Sequence, residues 1–343
     1  MAFTPIREQI ILVVNDLFMI QSDLTTALDL ENLNTSLDCT QDGKNFFTID
    51  REYKERASCT GEDKAARKVK SQMGRLNVTI KCTPEQAYGV AALARGVSGD
   101  PVAVGDGTHN HTTARMPAYN YDLPGTTAAL VFAETPAAPV KILRGVKVDS
   151  YEIIGSDGEY VTMSVSFIFY PVTTDVDIAD FTVPACTDYV PADSSESTVT
   201  IDAVDQSVDL LDFRIRYANR IRTGRFSRTN NGRNPTRIWR DPIREESMDL
   251  TFSKATDDGY YAELEAGTDI DHATVVRAGT ATSHITHSYP HSHHSFANGG
   301  GAFSGDGNPF VTAAHVEPLA VGGVTSIVTS RNTKATKFLP AAA

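Results

Sequence analysis

Apolar and polar residues alternate with period two along much of the chain. Leu76, Val78, Ile80 and Cys82 are interleaved with Arg75, Asn77, Thr79 and Lys81. Val161, Met163, Val165, Phe167 and Phe169 alternate with Thr162, Ser164 and Ser166, with Ile168 the one apolar exception. Leu211, Phe213, Ile215 and Tyr217 alternate with Asp212, Arg214 and Arg216, and Met248, Leu250 and Phe252 with Ser247, Asp249, Thr251 and Ser253. Such segments put one face on a core and the other on solvent or a partner, as strands of antiparallel sheets do. Asp157-Gly158 joins two of them, about 146–154 and 159–170, as a hairpin, because Gly tolerates the positive φ of a tight turn. The predicted class is mainly β.

Helical signals are few. Thr83-Pro84-Glu85-Gln86 precedes Ala87-Tyr88 and Val90 to Leu93, and Gly96 follows. Thr83 can cap, Pro84 suits the first turn, Gln86 can complete a capping box, and Gly96 can end the helix. The second half repeats the arrangement: Met248, Leu250 and Phe252, then Thr256, Tyr260 and Gly267. A strand, a cap, an aromatic and a terminal Gly recurring half a chain later predict an internal duplication. Pro184, Pro191, Asp188, Asp193, Ser194 and Ser195 mark the boundary between the copies. The expected organisation is a β-sandwich or barrel domain over 1–185, a linker over 186–197, and a related domain over 198–343.

Charge is segregated along the chain. From Val148 to Phe213 there are 14 acidic residues and no Lys or Arg; from Arg214 to Arg244 there are ten Arg and a single acid, Asp241. An Arg-rich hairpin arm carrying Arg222, Arg225, Arg228, Arg233, Arg237 and Arg240 is expected to dock on an acidic face of another copy. Asp175, Asp177, Asp180, Asp188 and Asp205 are candidates for that face. Unlike patches meeting head to tail give rings or stacks, and the planar guanidinium suits carboxylates. The net charge of −12 makes coating of nucleic acid a weaker reading, although Phe226 and Trp239 of the arm could stack on bases. Hydrophobic residues at 41% and charged at 22% fit a globular chain. The short run Ile10 to Val14 suggests neither a signal peptide nor a membrane span.

Signals for chemistry are weak. His287, His291, His293 and His294 could ligate zinc or nickel, but they flow into Asn298-Gly299-Gly300-Gly301, so a solvated loop is expected instead. His109 and His111 lie in another Gly- and Thr-rich stretch and are read the same way. Gly96-Val97-Ser98-Gly99 is not a nucleophile elbow, Gly105-Asp106-Gly107 lacks the dinucleotide pattern, and Asp175, Asp177 and Asp180 do not match a calcium loop. The four cysteines lack metal spacing and are expected to be free thiols, Cys82 in the core. No enzyme, cofactor or metal is expected.

Four segments in order resemble the tail tube (major tail) proteins of tailed bacteriophages in their longer two-domain form: Lys68 to Gly96; Leu143 to Val148 with Tyr160 to Phe167; Thr198 to Asp202 with Asp212 to Arg220, Asn219 included; and Arg244 to Gly267. The resemblance implies β-sandwich or barrel domains whose sheet edges join neighbours. The product would be a homotrimeric ring with pseudo-sixfold symmetry, stacked into a tube. It implies tape-measure, terminator and tail-tip proteins as partners, DNA sliding during ejection through an acidic lumen for which Asp175, Asp177, Asp180, Asp188 and Asp205 are also candidates, no membrane, and a place in the virion tail after synthesis in the host cytoplasm. The alternative from another class is a carbohydrate- or receptor-binding β module of a tail tip.

Overall fold

The computed structural model describes residues 10–21, 23, 25–41, 47–57, 64–116, 122–132, 138–184, 190–223, 235, 238–241, 244–253, 272–302, 311–321 and 325–341. The fold is mainly β, with one α-helix among the described residues. The first half holds β1 (Ile10–Val14), β2 (Thr35–Gln41), β3 (Phe47–Ala57), β4 (Lys64–Lys81), α1 (Pro84–Arg95), β5 (Val102–Ala103), β6 (His109–Ala114), β7 (Thr126–Phe132), β8 (Val140–Ser156) and β9 (Thr162–Val176). The second holds β10 (Thr198–Ile201), β11 (Val204–Asp205), β12 (Leu210–Ala218), β13 (Arg222–Thr223), β14 (Ile238–Trp239), β15 (Glu245–Phe252), β16 (His272–Gly279), β17 (His284–Ala302), β18 (Val311–Pro318) and β19 (Ile327–Asn332). All strands except the β13–β14 pair belong to one connected sheet.

The sheet contains two strand sets of the same order. In the first, β1 pairs with β7, β7 with β8, β8 with β9, β9 with β4, and β4 with β2 and β3; β2 returns to β1 and closes a barrel. In the second, β10 pairs with β16, β16 with β17, β17 with β18, β18 with β15, and β15 with β12. One irregularity also recurs. The β7–β8 register slips between Thr126↔Val146 and Ala128↔Leu143, and the β16–β17 register slips between His272↔Ser292 and Thr274↔Tyr289.

Local chemistry explains the turns. Gly158 has φ 75° in the β8–β9 turn, and Asp202 and Ala203 have φ 49° and 64° between β10 and β11, the two positive values that a tight hairpin needs. Helix α1 follows Pro84 in its first turn and ends at Gly96, whose φ is 82° and whose N–H donates to Ala92 O. Thr83 sits at the cap, but its side chain makes no capping bond, so the expected capping box is not formed as drawn. The counterpart helix expected near 256–267 lies outside the described residues. Every residue of α1 is buried, as an Ala- and Val-rich helix enclosed on all sides must be.

One core runs through both sets, from Leu12, Leu76, Val78 and Phe167 to Met248, Leu250, Val276 and Val328. The Pro- and Ser-rich boundary is docked where it is described: Ala192 N donates to Cys82 O, and Val161 N donates to Ala192 O. The chain's end returns to its beginning. β19 pairs with both β17 and β6, Leu339 N donates to Leu17 O, and the Phe338 ring meets those of Tyr88 and His111 edge-on at 5.0 Å. Two expectations change here. The His-rich stretch from His284 is strand β17 rather than a loop, and His109 and His111 lie in β6. Backbone pairing on both edges of β17 overrides the loop-like composition.

Candidate functional site

The two strand sets meet where the C-terminal half of β8 pairs with β12, from Ser150↔Ala218 to Ser156↔Asp212. The alternation read from the sequence decides what faces where. Tyr151 and Tyr217 point inward, with ring centroids 5.4 Å apart and planes 14° from parallel. Ile153 pairs with Ile215 beside them, and Gly155 faces Phe213 so closely that a Cβ on Gly155 would lie 2.3 Å from its ring. On the outward face, Arg216 Nε donates to Glu152 Oε1 at 2.7 Å and Arg216 Nη1 lies 2.9 Å from Asp249 Oδ2, while Arg214 is 3.4 Å from Glu152. Hence the first arginines of the basic segment pair with acids of their own chain. An open groove of about 830 Å³ runs beside this seam, bordered by Arg115, Glu152, Arg244, Glu245 and Glu317.

Beneath the seam lies a buried polar node. Arg95, at the C-terminal end of α1, is fully buried and pairs with the fully buried Glu246 of β15. The second carboxylate oxygen accepts from Arg115 Nε at 2.8 Å and from Ser326 Oγ at 2.7 Å. Arg95 also donates to Ser326 Oγ at 3.0 Å, and its guanidinium carbon lies 5.0 Å from the centroid of the Tyr217 ring. Burial works to raise the Glu246 carboxyl, but Arg95, Arg115 and the Ser326 hydroxyl hold it below the usual carboxylate range. Burial, helped by the charge on Arg95, pushes His287 down to about 3, and burial pushes the Tyr151 and Tyr289 hydroxyls up. Tyr151 Oη lies 3.2 Å from His287 Nε2. Around neutrality every one of these groups is therefore fixed in a single protonation state, which suits a structural tie and not proton exchange.

Asn219 closes the seam at its lower end. It is fully buried, donates from Nδ2 to Ala94 O at 2.8 Å and to Val148 O at 3.0 Å, and its backbone N–H donates to Asp149 O at 2.7 Å. One side chain thus links α1, β8 and the exit of β12. The sequence marked Asn219 only by its place after a strand. It missed Arg95 and Glu246, although a signal existed: Glu246 occupies an inward position of the alternation that Met248, Leu250 and Phe252 continue.

The predicted site residues are dispersed. Arg222 is exposed and pairs with Asp241. Arg240 departs from the docking expectation, because it is 1% exposed and donates to Asp241 O inside the fold. Arg225, Arg228, Arg233, Arg237 and Asp188 lie outside the described residues. Asp175 closes on Lys141 at 3.0 Å, Asp177 caps the 3-10 turn Ile178–Asp180 that contains Asp180, and Asp205 of β11 accepts from Ser207 N. The histidines do not converge: His287 and His294 face the interior and His293 faces solvent, with His291 between. Among the described residues there is no group of three or more metal-capable side chains. Cys82 is a buried free thiol whose pKa burial pushes up to about 12. No described helix is long and apolar enough to cross a membrane.

A family model described as phage tail tube protein matches residues 23–323, nearly the whole chain. The chain belongs to that family. The tail tube protein is thus a structural protein, and its family places it in the virion tail with other tail proteins. The match weighs against the receptor-binding alternative and lies with a family that is not enzymatic. No curated protein sequence matches the chain.

Proposed function

We propose that this chain is the repeating subunit of the tube. Copies polymerise into rings, the rings stack, and the lumen conducts DNA during ejection. The observation that carries the reading is the state of the sheet at its two ends. Among the described residues, β3 pairs only with β4, and β17 beyond Ser292 pairs only with β18. Long strands left open in this way invite pairing with another chain. The common strand order supports tandem related domains over 1–185 and 198–343, with 186–197 between them. A chain with two such domains closes as a homotrimer of pseudo-sixfold symmetry.

Stacking uses the Arg-rich segment, with Arg222, Arg225, Arg228, Arg233 and Arg237 meeting exposed acids such as Asp175, Asp177, Asp180 and Asp205 on the next ring. The charge of −12 suits a conduit, since like charges leave DNA without footholds. Tape-measure, terminator and tail-tip proteins would meet the same edges at the tube's ends, after synthesis in the host cytoplasm. Negative-stain electron microscopy of the purified protein, with its mass in solution, tests the reading. Hollow tubes or stacked rings with three- or sixfold end views are expected; a protein that stays monomeric at all concentrations, even with tail-tip complexes added as initiators, overturns it.

A further inference from the structure

The buried node beneath the seam is not balanced in charge. Arg95 and Arg115 share a single carboxylate, that of Glu246. A third guanidinium, Arg244, immediately precedes β15 and feels the other two. It donates from Nη2 to Met116 O at 2.6 Å, and among the described residues it has no carboxylate partner. Three positive charges therefore meet one negative charge, an excess of two. Burial, with the charges on Arg115 and Arg95 adding to it, holds the Arg244 guanidinium below the usual arginine range. The neighbouring acids do not supply the balance. Glu152 is paired with Arg214 and Arg216, Glu245 with Arg220, and Glu317 faces His315.

The excess charge is reachable from solvent. Arg115, Arg244, Glu246 and Tyr217 all line the groove of about 830 Å³ beside the seam. Arg115 engages Glu246 through Nε and Nη2, and its side chain stays 20% exposed; Arg244 is half-buried. Tyr217 is 1% exposed, and its hydroxyl completes no hydrogen bond although it lies close to Arg244. Buried hydroxyls ordinarily find a partner, and guanidinium groups make their strongest hydrogen bonds to oxyanions. We propose that this end of the groove binds a phosphate dianion, with Arg244 and Arg115 as its charged donors and Tyr217 Oη as a neutral one.

Charge and geometry both favour phosphate. A dianion cancels the whole excess, whereas a chloride or a carboxylate cancels half of it. The node cannot shed the charge itself, because arginine keeps its proton in proteins. The oxygens of one phosphate can accept from two planar guanidinium groups and a hydroxyl together, a pattern that lysine in the same places would not match. Partial burial adds to the attraction, since salt screens such a site less than it screens the open surface. The groove is larger than one ion, so the dianion can enter free or as the end group of a bigger molecule. The assignment is independent of the tube reading.

The test is equilibrium dialysis of the full chain against labelled inorganic phosphate, at about pH 8, where phosphate is mostly doubly charged, with ionic strength held constant by chloride. A single saturable site per chain is expected. Arg244→Gln should weaken it about tenfold or more, because a charged hydrogen bond is lost. Arg244→Lys, which keeps the charge without the planar fork, should fall between the two. Tyr217→Phe should weaken binding by about two- to tenfold. Arg216→Gln, in the same groove but paired with Glu152 and Asp249, should leave it within about twofold. Melting curves in chloride show that each variant is folded. Glycerol 3-phosphate as competitor separates the two sources: displacement of the label supports an end group, and no displacement supports the free ion. No saturable binding at millimolar phosphate, or equal binding by the parent and Arg244→Gln, overturns the proposal. So does a chain that binds no phosphate but stops polymerising as Arg244→Gln, which would assign Arg244 to a carboxylate of another copy.

Discussion

Replacing Glu246 with Gln removes a charge from the fully buried Arg95–Glu246 ion pair beneath the seam while keeping the side chain's shape. Arg95 then keeps Ser326, the Tyr151 hydroxyl and the face of the Tyr217 ring, all of them neutral, and a buried guanidinium without its carboxylate costs about 3–5 kcal/mol. The reverse change, Arg95→Met, should cost less, about 1–3 kcal/mol. Glu246 would still hold Arg115 and Ser326, and the Arg115 side chain keeps some contact with water at 20% exposed. Urea unfolding measures both. With a slope of about 3 kcal/mol/M, Glu246→Gln should lower the midpoint by roughly 1–1.7 M. The pH dependence carries its own sign. The Glu246 carboxyl is depressed in the folded protein, so its contribution is present above the unfolded pKa of about 4.3 and is lost as pH falls through the lower folded value. The gap between parent and variant should accordingly narrow below about pH 4. A Glu246→Gln protein within about 0.5 kcal/mol of the parent, or an Arg95→Met protein that is the weaker of the two, would refute this account of the node.

Four further outcomes are expected. Asn219→Ala removes two donated bonds to buried carbonyls and should cost about 2–3 kcal/mol in urea unfolding. Gly155→Ala puts a Cβ against the Phe213 ring and should lower Tm by several degrees, a loss of about 1–3 kcal/mol, with Phe213→Leu in the same chain recovering part of it. His287 stays neutral in the fold to about pH 3 but titrates near 6.5 when unfolded. Stability should therefore fall by up to about 1.4 kcal/mol per unit as pH drops from 6.5 towards 3, and thermal melts of His287→Asn should be flatter over that window. Arg225, Arg228 and Arg233 replaced together by Glu should leave the melting curve unchanged and stop tube growth; normal tube lengths by electron microscopy would rule out docking through the basic segment.

Strand identity was readable because burial on one face writes itself into every second residue: Leu76, Val78 and Ile80 face the core as their spacing says, and so do Met248, Leu250 and Phe252. The hairpin at Gly158 and the stop at Gly96 were readable because both require a positive φ that few residues accept. The His-rich strand was misread for a physical reason. Its pairing energy comes from backbone bonds to β16, β18 and β19, and the composition of the stretch itself carries no trace of them. Arg95 and Glu246 escaped for a related reason. Each looks like an ordinary surface charge until the fold brings Pro84–Arg95 against Glu245–Phe252, and only the parity of Glu246 within its strand hinted otherwise. The opposed charge blocks were plain to see, yet Arg214 and Arg216 meet Glu152 and Asp249 within the chain, a pairing decided by the β8–β12 and β12–β15 registers.

The return of the C-terminal segment to the first strand set also bears on when a newly made chain can act. β6 gains its outer neighbour only from β19, with Asn332 opposite His109, and the pocket of Phe18, Tyr88 and His111 is sealed by Phe338 and Leu339. Contacts so distant in sequence form late and slowly. A ribosome-bound chain that has made all of β1 to β9 still lacks this closure, so its first half cannot reach its finished shape ahead of its last residues. A chain without β19 would therefore leave that edge of β6 unpaired and the pocket of Phe18, Tyr88 and His111 open.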